Sequence, residues 1–233
     1  MFNDKTVIVT GGAGALGREV VHWFSSRGAQ VAVLDISAES LSQAFPAPAS
    51  NHCYVACDLA RRSSCADAVA TVQARFGKVD ILCNIAGGFL MGDAVHDTSD
   101  ATWDFLFDLN ARSVLNMSAA VVPLLLAGGG GKIVNVAARA ATGGAALMGA
   151  YTASKAAVLR LTESMALELR EQQINVNCVL PSLIDTPRNR QDMPGADYAK
   201  WVTPAQIASV IGFLASADAS AVHGAGVPVD GLS

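Results

Sequence analysis

Residues 5–17 read "KTVIVTGGAGALG", and the order of residue types in this stretch decides the fold. The run "TVIVT" predicts a short strand, apolar on both faces and therefore covered on both. Glycines follow at once. Gly12, Gly14 and Gly17 stand in Gly-x-Gly-x-x-Gly spacing with Gly11 before them, and "GREVVHWFSSRG" then reads as a helix ended by Gly28. A strand that turns on glycines into a helix suits a pyrophosphate. The glycines let the backbone approach closely, and the helix N-terminus offers free N–H groups and partial positive charge. Gly11, Gly12, Gly14, Ala15, Leu16 and Gly17 are the residues this reading places around the phosphates. The competing reading is a glycine turn that serves packing alone.

The rest of the chain repeats the alternation. "QVAVLDI", "HCYVACDL", "VDILCNIAG", "GKIVNVAA", "INVNCVLPS" and "GVPVDG" read as strands. Between them stand the helical stretches "RSSCADAVATVQARFG", "TWDFLFDLNARSVLNMSAAVVPLLL", "YTASKAAVLRLTESMALELRE" and "PAQIASVIGFLAS". Largely unbroken apolar strands alternating with helices predict a parallel sheet covered on both faces. The expected architecture is a single α/β domain over residues 1–233. It is a Rossmann-type, doubly wound sheet of about seven strands. Residues 185–203 lack helical or strand periodicity and follow a strand end, so they are the candidate substrate lid. A solvated surface loop is the plainer alternative.

Composition narrows the function. Of 233 residues, 52% are hydrophobic and 15% charged, which fits a large core. A net charge of −4 argues against a surface that tracks nucleic-acid phosphates. No wholly apolar run approaches bilayer length, and the N-terminus lacks a basic start with an apolar core, so no membrane contact and no signal peptide are expected. The five cysteines, odd in number and without a Cys-x-x-Cys pair, read as free thiols of a cytoplasmic protein. His52, Cys53 and Cys57 sit in a strand pattern with alternating faces, so no metal site is expected.

At the strand ends stand the candidate ligands. Asp35 closes the second strand, where a carboxylate accepts from the adenosine ribose hydroxyls and repels a 2′-phosphate. No Lys or Arg follows in "ISAES", so NAD(H) is the expected cofactor; the alternative for Asp35 is a helix cap. Asp58, with Leu59 beside it, ends the third strand, placed for the adenine amino group or for capping the next helix. Asn84, Ala86 and Gly87 lie in "NIAGG", whose small residues would let a cofactor lie against the backbone. Tyr151 and Lys155 are four apart on a helix and project from one face. A nearby ammonium stabilises phenolate and lowers the tyrosine pKa, and Lys155 can also hold a ribose. A solvated helix face is the alternative.

Taken in order, the glycine motif, the acidic strand end, "NIAG", Asn110 and Tyr-x-x-x-Lys resemble the short-chain dehydrogenase/reductase family over essentially the whole chain. The resemblance implies that Asn110 kinks its helix and anchors a proton-relay water, that Tyr151 is the acid–base residue, and that Lys155 tunes it and binds ribose. It further implies that Pro181, Ile184 and Thr186 flank the nicotinamide carboxamide. Such proteins commonly pair two long helices between subunits, so a homodimer or homotetramer is expected, with Leu159, Met165 and Leu169 as candidate contacts.

The chain departs from the pattern in three places. Ala15 replaces a usual glycine, with Gly14 one place earlier. Ile85 replaces an asparagine. Ala138 stands thirteen residues before Tyr151, where a serine is usual. Ala137 offers no substitute; Thr142 and Arg139 are the nearest polar candidates for the substrate side. Dihydropteridine reductases also lack the serine, and "GGAGALG" and "DTPRNRQDMPGADYAKW", with Met193, look like theirs. The expected function is NAD(H)-dependent hydride transfer to a small carbonyl or quinonoid, pterin-like acceptor. An ordinary alcohol/ketone dehydrogenase and a catalytically weak NAD-binding regulatory protein are the alternatives.

Overall fold

In the computed structural model, which describes residues 2–233, seven strands form one parallel sheet. They are β1 (Thr6–Thr10), β2 (Gln30–Asp35), β3 (His52–Ala56), β4 (Ile81–Asn84), β5 (Gly131–Val136), β6 (Ile174–Pro181) and β7 (Gly226–Val229). The order is β3-β2-β1-β4-β5-β6-β7. From β1 the chain builds first toward β3 and then, from β4 onward, away from it. The crevice at the C-terminal ends of β1 and β4 is therefore the topological switch point, where such sheets bind ligands. Register brings Thr10, Asn84 and Asn135 level across it.

The helices are α1 (Ala15–Ser25), α2 (Ala38–Ala44), α3 (Arg62–Phe76), α4 (Asp100–Phe107), α5 (Ser113–Ala127), α6 (Gly149–Leu169), α7 (Pro187–Asp192) and α8 (Pro204–Leu214). α1 and α8 pack together on one face, over Val7, Val9, Val31 and Val33. On the other face α3 and α5 cover Ile8, Ala32, Leu34 and Leu82. The period-2 alternation of each strand thus feeds two cores. Fully burying a side chain such as Ile8 or Leu82 contributes about 1.5–3 kcal/mol, and both are 0% exposed.

Two short helices escaped the sequence reading. Ser37 caps α2 by accepting from the Ser40 N–H at 3.1 Å, so Asp35 is not that helix's cap. In the candidate lid, Thr186 caps α7 by accepting from the Asn189 N–H at 3.1 Å, with Pro187 at the first helical position. At six and seven residues these helices are too short to show a period, and capping chemistry rather than an apolar face defines them. The candidate lid is thus a structured segment. Trp201 and Val202 bury its far end, and Ile184 pairs with Val202 as an isolated parallel bridge.

The segment Asp100–Ala127 is long and apolar enough, by length and composition, to cross a membrane, although no unbroken apolar run suggests it. Half of its most apolar window is buried inside the domain, as befits a core helix that covers β4 and β5.

Candidate active site

The helix from Asp100 to Ala127 is interrupted by one π turn, Asp108–Arg112. The wider turn holds Asn110, buried to 1% exposure. Such bulges recur at functional sites because they redirect a side chain that an unbroken helix would aim elsewhere. Asn110 Oδ1 accepts from the Gly88 N–H at 2.8 Å, and Nδ2 donates to the Gly88 carbonyl at 3.1 Å and to Ser154 Oγ at 2.9 Å. Ser154 Oγ in turn donates to the Tyr151 carbonyl at 2.8 Å. The loop after β4, the π turn and α6 are therefore tied together by one amide. Ser154 was not singled out from the sequence; its place beside Lys155, small and on the Asn110 side of α6, is the only signal it gives there.

Lys155 is buried, and its Nζ donates to the Val136 carbonyl at 3.0 Å, at the end of β5. A Cβ added at Gly87 would lie 2.9 Å from Lys155 Nζ and 3.0 Å from Asn110 Oδ1. Gly87 is thus where the β4 loop closes on both. Burial pushes Lys155 down to about 8. The Tyr151 ring meets Phe89 edge-on, centroids 4.8 Å apart. Burial pushes its hydroxyl up to about 12. The sequence reading expected a lowered value; burial raises it instead, so the phenol is protonated at neutral pH.

The 3-10 turn Arg139–Thr142 packs against α6. Neither polar side chain on it takes the serine's place. Thr142 Oγ1 is exposed and donates to the Arg139 carbonyl at 2.8 Å, closing its own turn. Arg139 Nε lies 3.2 Å from Asp230 Oδ1, drawn toward the C-terminal segment. Ala138 is 7% exposed and brings only a methyl group to the site.

The glycine turn fits a dinucleotide. Gly11 has φ +61°, and a Cβ there would lie 2.8 Å from Ala86 Cα; a Cβ at Gly17 would run into the Gly11 carbonyl oxygen. No side chain caps α1 at Gly14, and no acidic residue lies in its first turn. The N–H groups of Ala15, Leu16 and Gly17 meet no acceptor among the described residues. The Leu16 side chain itself packs into the core.

Asp35 stands against this turn. Its Oδ2 accepts from the Ala13 N–H at 2.9 Å, and its Oδ1 from the Ile36 N–H at 2.8 Å and Ser40 Oγ at 3.3 Å. Arg18, which sequence reasoning passed over, lines a recess with Ala13, Ser40, Gln43 and Ala44. Only the fold puts this cation near Asp35, across a turn. Asp58 accepts from the Ala60 N–H at 3.1 Å and lies 3.6 Å from Arg61 Nε. It does not cap α3, whose N-cap is Arg61. Leu59 is buried, and its carbonyl accepts from Asn116 Nδ2 at 2.9 Å.

Asn84, expected at the cofactor, turns its side chain inward. Its side chain is 3% exposed and donates to Asn135 Oδ1 at 2.8 Å, and Asn135 Nδ2 donates to Thr162 Oγ1 at 2.9 Å. The side chain is part of a buried polar file joining β4, β5 and α6 rather than a wall of the crevice. Pro181 ends β6, and the Thr186 hydroxyl is engaged as the α7 cap. Met193 is 41% exposed just beyond α7. Within the lid Arg190 makes two contacts to Asp185, at 2.5 and 2.7 Å, and Arg188 pairs with Asp192 at 2.8 Å. His52 contacts Tyr54 Oη at 2.8 Å and Ser25 Oγ at 2.9 Å.

Comparison with known proteins agrees with this arrangement. Residues 5–196 match the family model for short chain dehydrogenase. The chain is 33% identical over 244 residues to 2-(R)-hydroxypropyl-CoM dehydrogenase of Xanthobacter autotrophicus, covering 98% of each. It is 32% identical to an NAD-dependent glycerol dehydrogenase of Listeria innocua, covering 99% of this chain and 94% of that one. An NAD+-bound xylitol dehydrogenase superposes with a TM-score of 0.91 at 26% identity, over 99% of both chains. With the glycine turn, the Asn110 bulge and the Tyr151–Lys155 pair on one sheet edge, the chain belongs to the short-chain dehydrogenase/reductase family and is an oxidoreductase.

Proposed function

We propose that the chain transfers hydride between NAD(H) and a small secondary alcohol or ketone, with Tyr151 as the acid–base residue. The observation that supports this is the Asn110 clamp, which ties the β4 loop through Ser154 to the Tyr151 backbone, with Lys155 held separately on the Val136 carbonyl. Gly11, Gly12, Gly14 and Gly17, with the free N–H groups of α1, would hold the pyrophosphate. Asp35 would hold the adenosine ribose, and Asp58 with Leu59 would flank the adenine. Ala86 and Gly87 would flank the nicotinamide side, with Pro181, Ile184 and Thr186 opposite. The nicotinamide ring, when bound, supplies or takes the hydride.

Tyr151 donates its phenolic proton to the substrate oxygen as the carbonyl is reduced and takes it back in oxidation. Lys155 lies one helical turn on and favours the phenolate left behind. Asn110 keeps the π turn and α6 in register through Ser154. Ala138 contributes no hydrogen bond, so Tyr151 is the donor this site offers to the oxygen. The names of relatives, among them cyclopentanol, glycerol and sorbitol dehydrogenases, support an alcohol or ketone substrate.

A second reading, a quinonoid pterin acceptor, is favoured by Ala138: a conjugated nitrogen-containing ring needs that hydroxyl less than a ketone does. NADH oxidation against simple ketones, diketones, quinones and quinonoid dihydropterin separates the two, repeated with Ala138→Ser. On the ketone reading the added hydroxyl stabilises developing charge and raises ketone turnover. Turnover of the pterin alone, without gain from Ala138→Ser, supports the second reading.

Assembly is a further part of the proposal. Leu159, Met165 and Leu169 pack on the protein's own core. Trp103, Phe105 and Leu115 on the α4–α5 helix and Leu167 on α6 are exposed instead, and they favour a dimer or tetramer. Light scattering at micromolar concentration tests it, with a monomer as the refuting result.

A further inference from the structure

Phe89 stands directly against the residue proposed to donate the proton. Its ring meets the Tyr151 ring edge-on, centroids 4.8 Å apart and planes at 88°, so that a positive ring edge faces a negative ring face. The residue before it is fixed. Asn110 holds both backbone groups of Gly88, and a Cβ added at Gly88 would lie 2.9 Å from Leu109 Cδ2 and 3.1 Å from Phe105 Cε1. Phe89 therefore leaves a pinned point of backbone, yet its side chain is 51% exposed. Leu90 and Met91 follow it and are exposed as well. Three consecutive apolar side chains in contact with water cost solubility, and such runs are kept where a ligand covers them.

The rest of this edge of the sheet adds no free polar side chain near the reacting pair. After β5, Ala138 brings a methyl group, Thr142 closes its own turn and Arg139 faces Asp230. After β6, Ser182 Oγ donates to the Asp230 carbonyl at 2.8 Å, and the Thr186 hydroxyl caps α7. Leu183 beyond β6 and Met193 beyond α7 are exposed. Tyr151 Oη, by contrast, has no hydrogen-bond partner among the described residues. A substrate oxygen that reaches Tyr151 has one polar contact there, and the carbon beside that oxygen faces apolar side chains.

We propose that Phe89 determines specificity: its ring receives the larger carbon substituent of the carbinol, and the site takes secondary alcohols and ketones that bear an aryl or cycloalkyl group ahead of small polyols. The proposal rests on the alcohol/ketone reading above and adds the chemistry of the substituent. An oxygen bonded to Tyr151 Oη brings its neighbouring carbons within reach of a ring that already touches Tyr151. A flat or cyclic apolar group gains contact with that ring. A second hydroxyl leaves water for a surface that returns no hydrogen bond.

Four alcohols that share the same methyl carbinol isolate the substituent: 1-phenylethanol, 1-cyclohexylethanol, 2-butanol and 1,3-butanediol. Binding is measured by calorimetry on the NADH-loaded protein, where an alcohol has no hydride acceptor and does not turn over. Oxidation with NAD+ is followed separately as NADH formation. The two ring alcohols are expected to bind at least about tenfold more tightly than 1,3-butanediol, with 2-butanol between. Apolar area alone would also favour the ring alcohols, so the Phe89 variants carry the test. Phe89→Ala should cut the ratio of 1-phenylethanol to 1,3-butanediol affinity to about threefold or less, and Phe89→Leu should keep more of the cyclohexyl preference than of the phenyl one. NADH fluorescence titration checks that both variants still load cofactor. A diol bound as tightly as 1-phenylethanol, no binding of either ring alcohol, or a ratio unmoved in both variants overturns the proposal. Binding in the expected order, lost with Phe89→Ala but without oxidation of any of the four, would leave the Phe89 assignment standing and count against the alcohol/ketone reading instead.

Discussion

Asn110 holds both backbone groups of Gly88, accepting from its N–H at 2.8 Å and donating to its carbonyl at 3.1 Å. A loop residue that would otherwise need a strand partner is thereby satisfied by a side chain thrown out of a π turn. Asn110→Leu leaves the Gly88 N–H and carbonyl without their partner. The loss should be about 1–3 kcal/mol, seen in calorimetry as a Tm lowered by about 2–4 °C per kcal/mol. Turnover should fall further than stability alone explains, because Ser154 and Tyr151 lose their link. An unchanged Tm and rate would refute the clamp.

Tyr151→Phe removes the hydroxyl that the proposed mechanism uses as proton donor and leaves the ring against Phe89. Turnover should fall by about 10²–10⁴-fold, while NADH binding, followed by cofactor fluorescence, should persist. A variant with unaltered turnover would show that some other group moves the proton.

In the proposed cofactor site Asp35 would disfavour a 2′-phosphate, and Arg18, lining the recess beside Ala13 and Ser40, would favour one. Asp35 is fixed by the Ala13 and Ile36 N–H groups and cannot swing away without losing both. It should win, giving NADH at least about tenfold tighter than NADPH in fluorescence titration. Asp35→Asn should narrow that ratio, and Arg18→Ala should widen it. Equal affinities in the unsubstituted protein would mean that Arg18 compensates the carboxylate in full.

Lys155 makes stability depend on pH in a defined window. Its pKa in the fold is lowered to about 8 from 10.5. Below about pH 8 the folded and unfolded chains both carry the proton, and the cost of burying the ammonium is fully present. Between about 8 and 10.5 the unfolded chain binds more protons than the folded one, so this group's contribution rises with pH. Lys155→Met should therefore stabilise the protein most near neutral pH, with the advantage shrinking toward pH 10. A Tm difference independent of pH across that range would contradict the burial of a titrating Lys155.

Much of the fold was legible because parallel strands buried on both faces announce themselves as largely apolar runs such as "TVIVT" and "INVNCVLP", the first leading straight into the eleven-residue α1. Short helices were not, because α2 and α7 are defined by Ser37 and Thr186 capping fewer than two turns each, too few to show a period. Tyr151 and Lys155 were legible from a spacing of four that any helix turns into a shared face. Their pKa shifts were not, because burial depends on β5, the β4 loop and α6 closing together.

By itself the sequence determined the strand–helix alternation, the glycine turn after β1 and the residue types that meet at the sheet's C-terminal edge. These follow from local periodicity and from the stereochemistry of glycine, which act over a few residues. Only the tertiary structure decided that Asn84 serves a buried file with Asn135, that Thr142 is spent on its own turn, and that Arg139 faces Asp230. Each of these depends on contacts between residues distant in sequence or on which way a turn faces. Strand order and loop packing set such relations, and no local pattern encodes them.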